Sequence, residues 1–277
     1  MTSNKGQVQC TFFGTSSVYL TGGATGIFID AFLTRPGLSK LKANEDIGPD
    51  AEVIRKTLQR GHVDKLDAIF VAHSHFDHVM DSPEVINQIG GRLFGSESTL
   101  NIGRGAGLSE EQMQLIHDGD EFVLDDFKVR IIEGEHSPGN LFPGTIDTPL
   151  KVPAKPSAYL DGGCYNFHIT HPSGSILILA SANYIPGKFE GVSTDVLYLG
   201  IGAMGSNFKV RVFEVVWNCP QLPVIDNVAP VRKYDRELMK LGILSKIYRS
   251  FHTLRRRCGL LQLRCRQLFN RSPPPPP

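Results

Sequence analysis

Cysteine is scarce: five residues in 277, at Cys10, Cys164, Cys219, Cys258 and Cys265. The number is odd, the spacing is scattered, and no two form a Cys-x-x-Cys pair. A disulfide framework and a structural zinc knuckle are therefore not expected, and a reducing, cytoplasmic setting fits best. No run of about 18 apolar residues occurs, so no transmembrane helix is expected. The stretch Met1 to Gln9 is polar and lacks the apolar region of a signal peptide. There is no internal repeat, no Gly-x-Gly-x-x-Gly opening a helix and no P-loop, so no nucleotide cofactor is indicated. Net charge is also small, +1, with 21% charged and 41% hydrophobic residues. That balance excludes a disordered chain and describes an ordinary globular one. The length allows one large domain or two small ones, at roughly 100–200 residues each.

The near-zero net charge hides an asymmetry. Residues 1–205 hold 15 Lys and Arg against 24 Asp and Glu, a net of −9, whereas residues 206–277 hold 14 against 4, a net of +10. In the second segment Ile247, Phe251, Leu254, Cys258, Leu261, Cys265 and Leu268 recur at spacings of three and four, an apolar helical stripe flanked by arginines. Gly259 weakens a continuous helix there. Three readings stay open: a docked helix with a solvated basic face, a basic helix binding an anionic surface or partner, and an altered reading frame or splice form. The expected organisation is a domain over 1–230, a basic helical segment over 231–271 and a proline tail over 272–277.

Within the first part, short apolar runs alternate with Gly-rich turns. Residues 8–13, 18–20 and 27–29 read as three strands, the last ending in Asp30. Residues 51–59 fit a short helix, and 66–72 a buried strand. Ser82-Pro83-Glu84 reads as an N-cap followed by Pro at the first helical position, opening a helix that Gly90-Gly91 stops. Further strands are expected over 92–94, 121–124, 128–132 and 196–199, with a hairpin of 164–170 and 175–180 turning at His171-Pro172-Ser173-Gly174. Residues 137–158, rich in Pro and Gly, read as a long surface loop that could line a pocket. Strands outnumber helices between them, which favours an α+β sandwich over a doubly wound sheet.

The sharpest pattern is His73-x-His75-x-Asp77-His78, directly after the buried strand. Imidazoles and a carboxylate are good ligands for Zn²⁺ and similar first-row ions. His73 and His75, two residues apart in extended chain, project to one side, while Asp77 and His78 face a second point nearby. Nine histidines in the whole chain make three within six residues an unusual concentration. His168 and His171 flank the hairpin turn and read mainly as strand residues, although the hairpin brings His168 near the metal edge. His62 and His117 lie in polar connections.

This motif, HSHFDH, resembles the HxHxDH signature of the metallo-β-lactamase-fold hydrolases. Ile27-Phe28-Ile29-Asp30 matches their early strand ending in a buried Asp, and Glu135-His136-Ser137-Pro138-Gly139 matches their later His. The resemblance covers roughly residues 8–205. The Gly-x-Ser-Ser strand, Ile29-Asp30 with the Leu-Thr that follows, and the Gly-Gly-Cys-Tyr hairpin look most like the ascorbate-phosphate-lactonase-like and phosphodiesterase-like branch. The resemblance implies an αββα sandwich with its metal site on edge loops. It implies that His73, His75 and His136 hold a first ion with a water in the fourth place, as in a catalytic zinc site. Asp77 and His78 would begin a second site, Asp77 would orient the water or accept its proton, and Asp30 would support the site from behind. The activity implied is hydrolysis of an ester, lactone or phosphodiester in a small molecule by a metal-bound hydroxide.

Two positions depart from the family's pattern. Its bridging Asp falls at Ser181, after the run Ile176 to Ala180, and Asn183 is a weak substitute. Its late His has no counterpart in Pro223-Val224-Ile225-Asp226-Asn227. One well-held ion and a weak or empty second position are therefore expected, with Zn²⁺ first and Mn²⁺ or Fe²⁺ as alternatives. Two further readings follow: a non-catalytic member that binds a metal or ligand, and, ranked last because the motif-bearing part carries −9, a nucleic-acid-processing member. Oligomeric state is not legible.

Overall fold

The computed structural model describes residues 8–200. The expected segment 231–271 and tail 272–277 lie outside these residues, as do the stretch Pro223-Val224-Ile225-Asp226-Asn227 and the rest of the expected domain beyond residue 200. Two sheets stack face to face. The first has six strands in the order β1 (Gln9–Gly14), β2 (Ser17–Gly22), β3 (Thr25–Ile29), β4 (Ala68–Phe70), β5 (Arg92–Gly95) and β6 (Met113–Leu115). The second runs β11 (Val196–Leu199), β10 (Gly174–Leu179), β9 (Cys164–His171), β8 (Phe127–Gly134) and β7 (Glu121–Leu124). In the first sheet β1, β2 and β3 form an antiparallel meander, and β4, β5 and β6 add parallel to it. Parallel addition needs crossovers, and the helices α2 (Ala51–Gly61), α4 (Ser82–Ile89) and α5 (Glu97–Gly105) lie on them. Two short helices, α1 (Leu38–Lys42) and α3 (Phe76–Val79), complete the set among the described residues.

Strand alternation divides the core. Val18, Leu20, Ile27, Ile29 and Phe70 face Val129, Ile131, Phe167 and Ile169 between the sheets. Phe70 sits at the centre, its ring 4.5 Å from Phe94 and 5.8 Å from Phe167. The other face of the first sheet packs Phe28, Ile69 and Leu93 under Ile54, Leu58, Val85 and Ile86 of α2 and α4. On the outer face of the second sheet, Leu177, Leu179, Leu197 and Leu199 are buried with Phe189 and Val192 of the following segment.

Several local expectations need correcting. The strand expected over 66–72 ends at Phe70. The Ala72 N–H goes to Asp30 Oδ1 (2.8 Å) and its carbonyl accepts from Tyr165 N–H (2.9 Å), so the chain leaves the ladder there. Ser82 is not the N-cap of α4: Asp81 occupies that place, with no side-chain cap. Its carboxylate instead accepts from the N–H of Leu33 and of Thr34 (both 2.6 Å) and from the Thr34 hydroxyl. The loop over 137–158 is not purely a surface feature. Ile146 and Ala154 are buried in the helix-side core, Ala154 bridges Ile47, and Asn101 holds the Ile146 carbonyl at 2.7 Å. Helix α5 has no counterpart among the sequence expectations, and it carries Gly103 and Gly105. Both are packing glycines: a Cβ would lie 2.7 Å from Met113 sulfur at the first and 1.9 Å from the Leu150 carbonyl oxygen at the second.

Replacing Phe70 by Ala opens a cavity between the sheets and is expected to cost about 3–5 kcal/mol in denaturant unfolding. Val123→Thr, at a position 70% exposed, is the control and should stay within about 0.5 kcal/mol.

Candidate metal centre

The histidine motif sits where the first sheet gives way to loop. His73 and His75 follow β4, α3 carries Asp77 and His78, and His136 follows β8 of the opposite sheet. The chain thus delivers two rings from one sheet and a third from the other. Their centroids lie 4.9 Å (His73–His75), 4.8 Å (His73–His136) and 4.7 Å (His75–His136) apart. One nitrogen from each falls within 4.8 Å of the other two.

Hydrogen bonds fix which nitrogens face inward. His75 Nε2 donates to the Phe142 carbonyl at 3.1 Å, and His136 Nδ1 to the Ser137 carbonyl at 2.9 Å. His75 is left to offer Nδ1 and His136 Nε2, each as a lone pair. Both nitrogens of His73 are buried without a hydrogen-bond partner. An orphaned buried imidazole is costly, and a cation met by one lone pair from each of the three rings would satisfy one of the two His73 nitrogens. Burial, followed by the neighbouring imidazoles, holds His73 well below its ordinary pKa. Burial likewise lowers His75 and His136. Three crowded neutral imidazoles fit a divalent ion of the zinc kind.

Behind them lies a carboxylate-centred knot. β3 ends at Ile29, and Asp30 turns with φ +47°, a left-handed conformation that Asp tolerates better than most residues. Its Oδ2 accepts from His78 Nδ1 (2.7 Å) and from the Ser16 hydroxyl (2.6 Å). Ser16 Oγ also lies 3.0 Å from the same His78 nitrogen. Ser, His and Asp therefore meet, yet not as a nucleophilic triad, because hydroxyl and carboxylate address one ring nitrogen rather than opposite ones. Burial opposes charge on His78, but Asp30 and Asp77 outweigh it and raise the pKa. His78 Nε2 lies 3.9 Å from the Asp77 carboxylate, which is about two-fifths exposed.

Ser181, after β10, does not face open space. Its hydroxyl accepts from Ser137 N–H at 2.8 Å and lies 3.0 Å from Ser137 Oγ. Asn183 donates to the His136 carbonyl and to Glu135, both at 3.0 Å. These contacts seat the His136 turn on the end of β10. His168 belongs to β9 and is not in the cluster; His62 ends α2, and His117 is exposed. No motif marks Phe142, whose backbone oxygen acts, or Asp161. A carbonyl contact carries no residue-type signal, and only the Pro- and Gly-rich loop around it hinted at one.

The sequence profile of the metallo-β-lactamase superfamily matches residues 10–195, and the chain belongs to that superfamily. It is 26% identical over 159 residues to a UPF0173 metal-dependent hydrolase of Myxococcus xanthus, covering 57% of this chain and 49% of that protein. The chain thus matches about half the length of that relative. It is 23% identical over 218 residues to a UPF0173 metal-dependent hydrolase of Thermodesulfovibrio yellowstonii, covering 76% of this chain and 68% of the other. Among solved structures it is similar to Igni18, a metallo hydrolase from Ignicoccus hospitalis, with a TM-score of 0.50 at 15% identity over 86% of this chain and 92% of that one. This likeness shows the two-sheet fold. Among the described residues no helix is long and apolar enough to cross a membrane.

The titration of the cluster sets a pH dependence for the metal-free protein. His73, His75 and His136 refuse protons that the unfolded chain binds near pH 6.5, so their contribution is present above that pH and is lost on acidification. His78 has the opposite sign: its contribution is present at low pH and is lost as pH rises through its raised pKa. Three groups outweigh one. Urea unfolding should give a lower free energy at pH 5 than at pH 7.5, and equal values would contradict this account.

Proposed function

We propose that His73, His75 and His136 hold one divalent cation and that the protein is a metal-dependent hydrolase of a small-molecule ester, lactone or phosphodiester. The observation that carries this reading is the convergence of three neutral imidazoles, His73 and His75 buried and His136 half-buried, with His73 lacking another partner for either nitrogen. The names of the two curated relatives point the same way. A cation there would supply Lewis acidity and a lowered water pKa of about 7. The ligand set favours Zn²⁺, with Mn²⁺ or Fe²⁺ as alternatives.

The remaining chemistry falls to the chain. Asp77, partly exposed beside the cluster, accepts the proton that the attacking water gives up. His78, held by Asp30 and Ser16, keeps its Nε2 edge toward Asp77 and the centre. Leu141, two-thirds exposed, and the Phe142 ring, 6.2 Å from His75, form an apolar rim on which a substrate can rest. We place Asp77 and His78 in a weak or empty second position, because Ser181 offers a hydroxyl already engaged with Ser137 where a carboxylate would bridge two ions. That engagement also favours a second reading, a metal-binding member without turnover. Neither Cys10 nor Cys164 forms a disulfide, and both fit a reducing, cytoplasmic setting.

Purified protein should contain one tightly held ion per chain by elemental analysis. His75→Ala should lose both the ion and turnover across ester, lactone and phosphodiester panels. Unchanged turnover in that variant would sink the mechanism. Wild-type protein that binds the ion and turns over nothing would favour the second reading.

A further inference from the structure

The loop after His136 returns twice to the histidine motif. The Phe142 carbonyl receives two donors, His75 Nε2 at 3.1 Å and the Asp161 N–H at 3.0 Å. Ser74, between the motif histidines, donates its N–H to the Asp161 carbonyl at 2.8 Å. The Asp161 carboxylate gathers the loop itself. Oδ1 accepts from the N–H of Gly144 (2.9 Å) and of Gly162 (2.8 Å), and Oδ2 from the Asn140 amide. The Asn140 oxygen in turn accepts from Phe142 N–H at 3.1 Å. Apart from the Gly162 bond, which is local to Asp161, these bonds shape the turn over 140–144 or fasten the loop to the motif.

We propose that Asp161 and Asn140 form a latch that positions His75 for metal binding, so that order in this loop and occupancy of the centre are coupled. The proposal rests on reading the cluster as a metal site. A carbonyl on the outer nitrogen of a ligating imidazole fixes its tautomer and ring plane and strengthens the inner nitrogen as a donor. Such a carbonyl can do this only while the loop carrying it holds still. In a Pro- and Gly-rich segment, the side-chain pair Asp161–Asn140 supplies what regular secondary structure would supply elsewhere. Coupling is reciprocal: an ion that fixes His75 also favours the latched loop. Asp161 touches no reacting atom in this scheme and is a positioning residue.

The test measures Zn²⁺ affinity by competition with a chromophoric chelator, the visible spectrum of the Co²⁺ form, and hydrogen exchange over residues 140–144. Adding Zn²⁺ to the wild type should slow exchange in that stretch. Asp161→Ala should weaken Zn²⁺ binding about 10–100-fold, perturb the Co²⁺ spectrum and speed loop exchange. Combining Asp161→Asn with Asn140→Asp reverses the polarity of the pair and keeps an acceptor for Gly144 and Gly162. This double variant should regain affinity to within about threefold of the wild type. Unchanged affinity in Asp161→Ala overturns the latch. So does a double variant as weak as the single one, because the charge at 161 would then matter rather than the bond. Should Asp161→Ala fail to fold, Asn140→Ala must show the same losses, and unaltered binding there overturns the proposal. Wild-type protein that binds neither Zn²⁺ nor Co²⁺ refutes the metal-centre reading itself, and is seen before any variant is made.

Discussion

The site depends on holding uncharged imidazoles close together, away from water. Protonated, His73, His75 and His136 would repel one another across less than 5 Å between ring centroids. Neutral, they leave His73 with unsatisfied nitrogens inside the protein. Either state costs free energy that the rest of the fold must offset. The inter-sheet core around Phe70 does so, anchoring the strands from which the motif loops emerge.

Asp30 carries the second constraint. It closes the chain at β4 by taking the Ala72 N–H and holds His78 with the same carboxylate. One side chain thus ends a strand and orients a ring. This explains a left-handed residue at a buried position, where backbone strain is tolerated because three donors fix the outcome. The Ser181 turn is the complementary case. At the position proposed for a bridging group, the Ser181 hydroxyl is already satisfied by its neighbour Ser137.

The fold and the histidine cluster were legible in the sequence for different reasons. Short apolar runs at residues 18–20 and 27–29, the stretch 128–132 and the turn at Pro172-Ser173-Gly174 have strong local signals, and the strands lie there. Two histidines at i and i+2 after an apolar run predict a shared side, and the rings meet. What was hidden depends on distant partners. The packing role of Gly103 and Gly105 in α5 is one case, because Met113 and Leu150, which need the space, are remote in sequence. Asp81 reads as nothing in particular, since its donors lie at Leu33 and Thr34. The Phe142 carbonyl is invisible to any reading of side chains.

The three rings come from different sheets: two follow β4 and one follows β8. An ion gripped by all of them is a rivet between the layers. Binding free energy then appears as resistance to unfolding, and each tenfold rise in free ion above the dissociation constant adds about 1.4 kcal/mol. Chains that lose the ion would unfold more readily, so starvation would thin the population as well as empty the site.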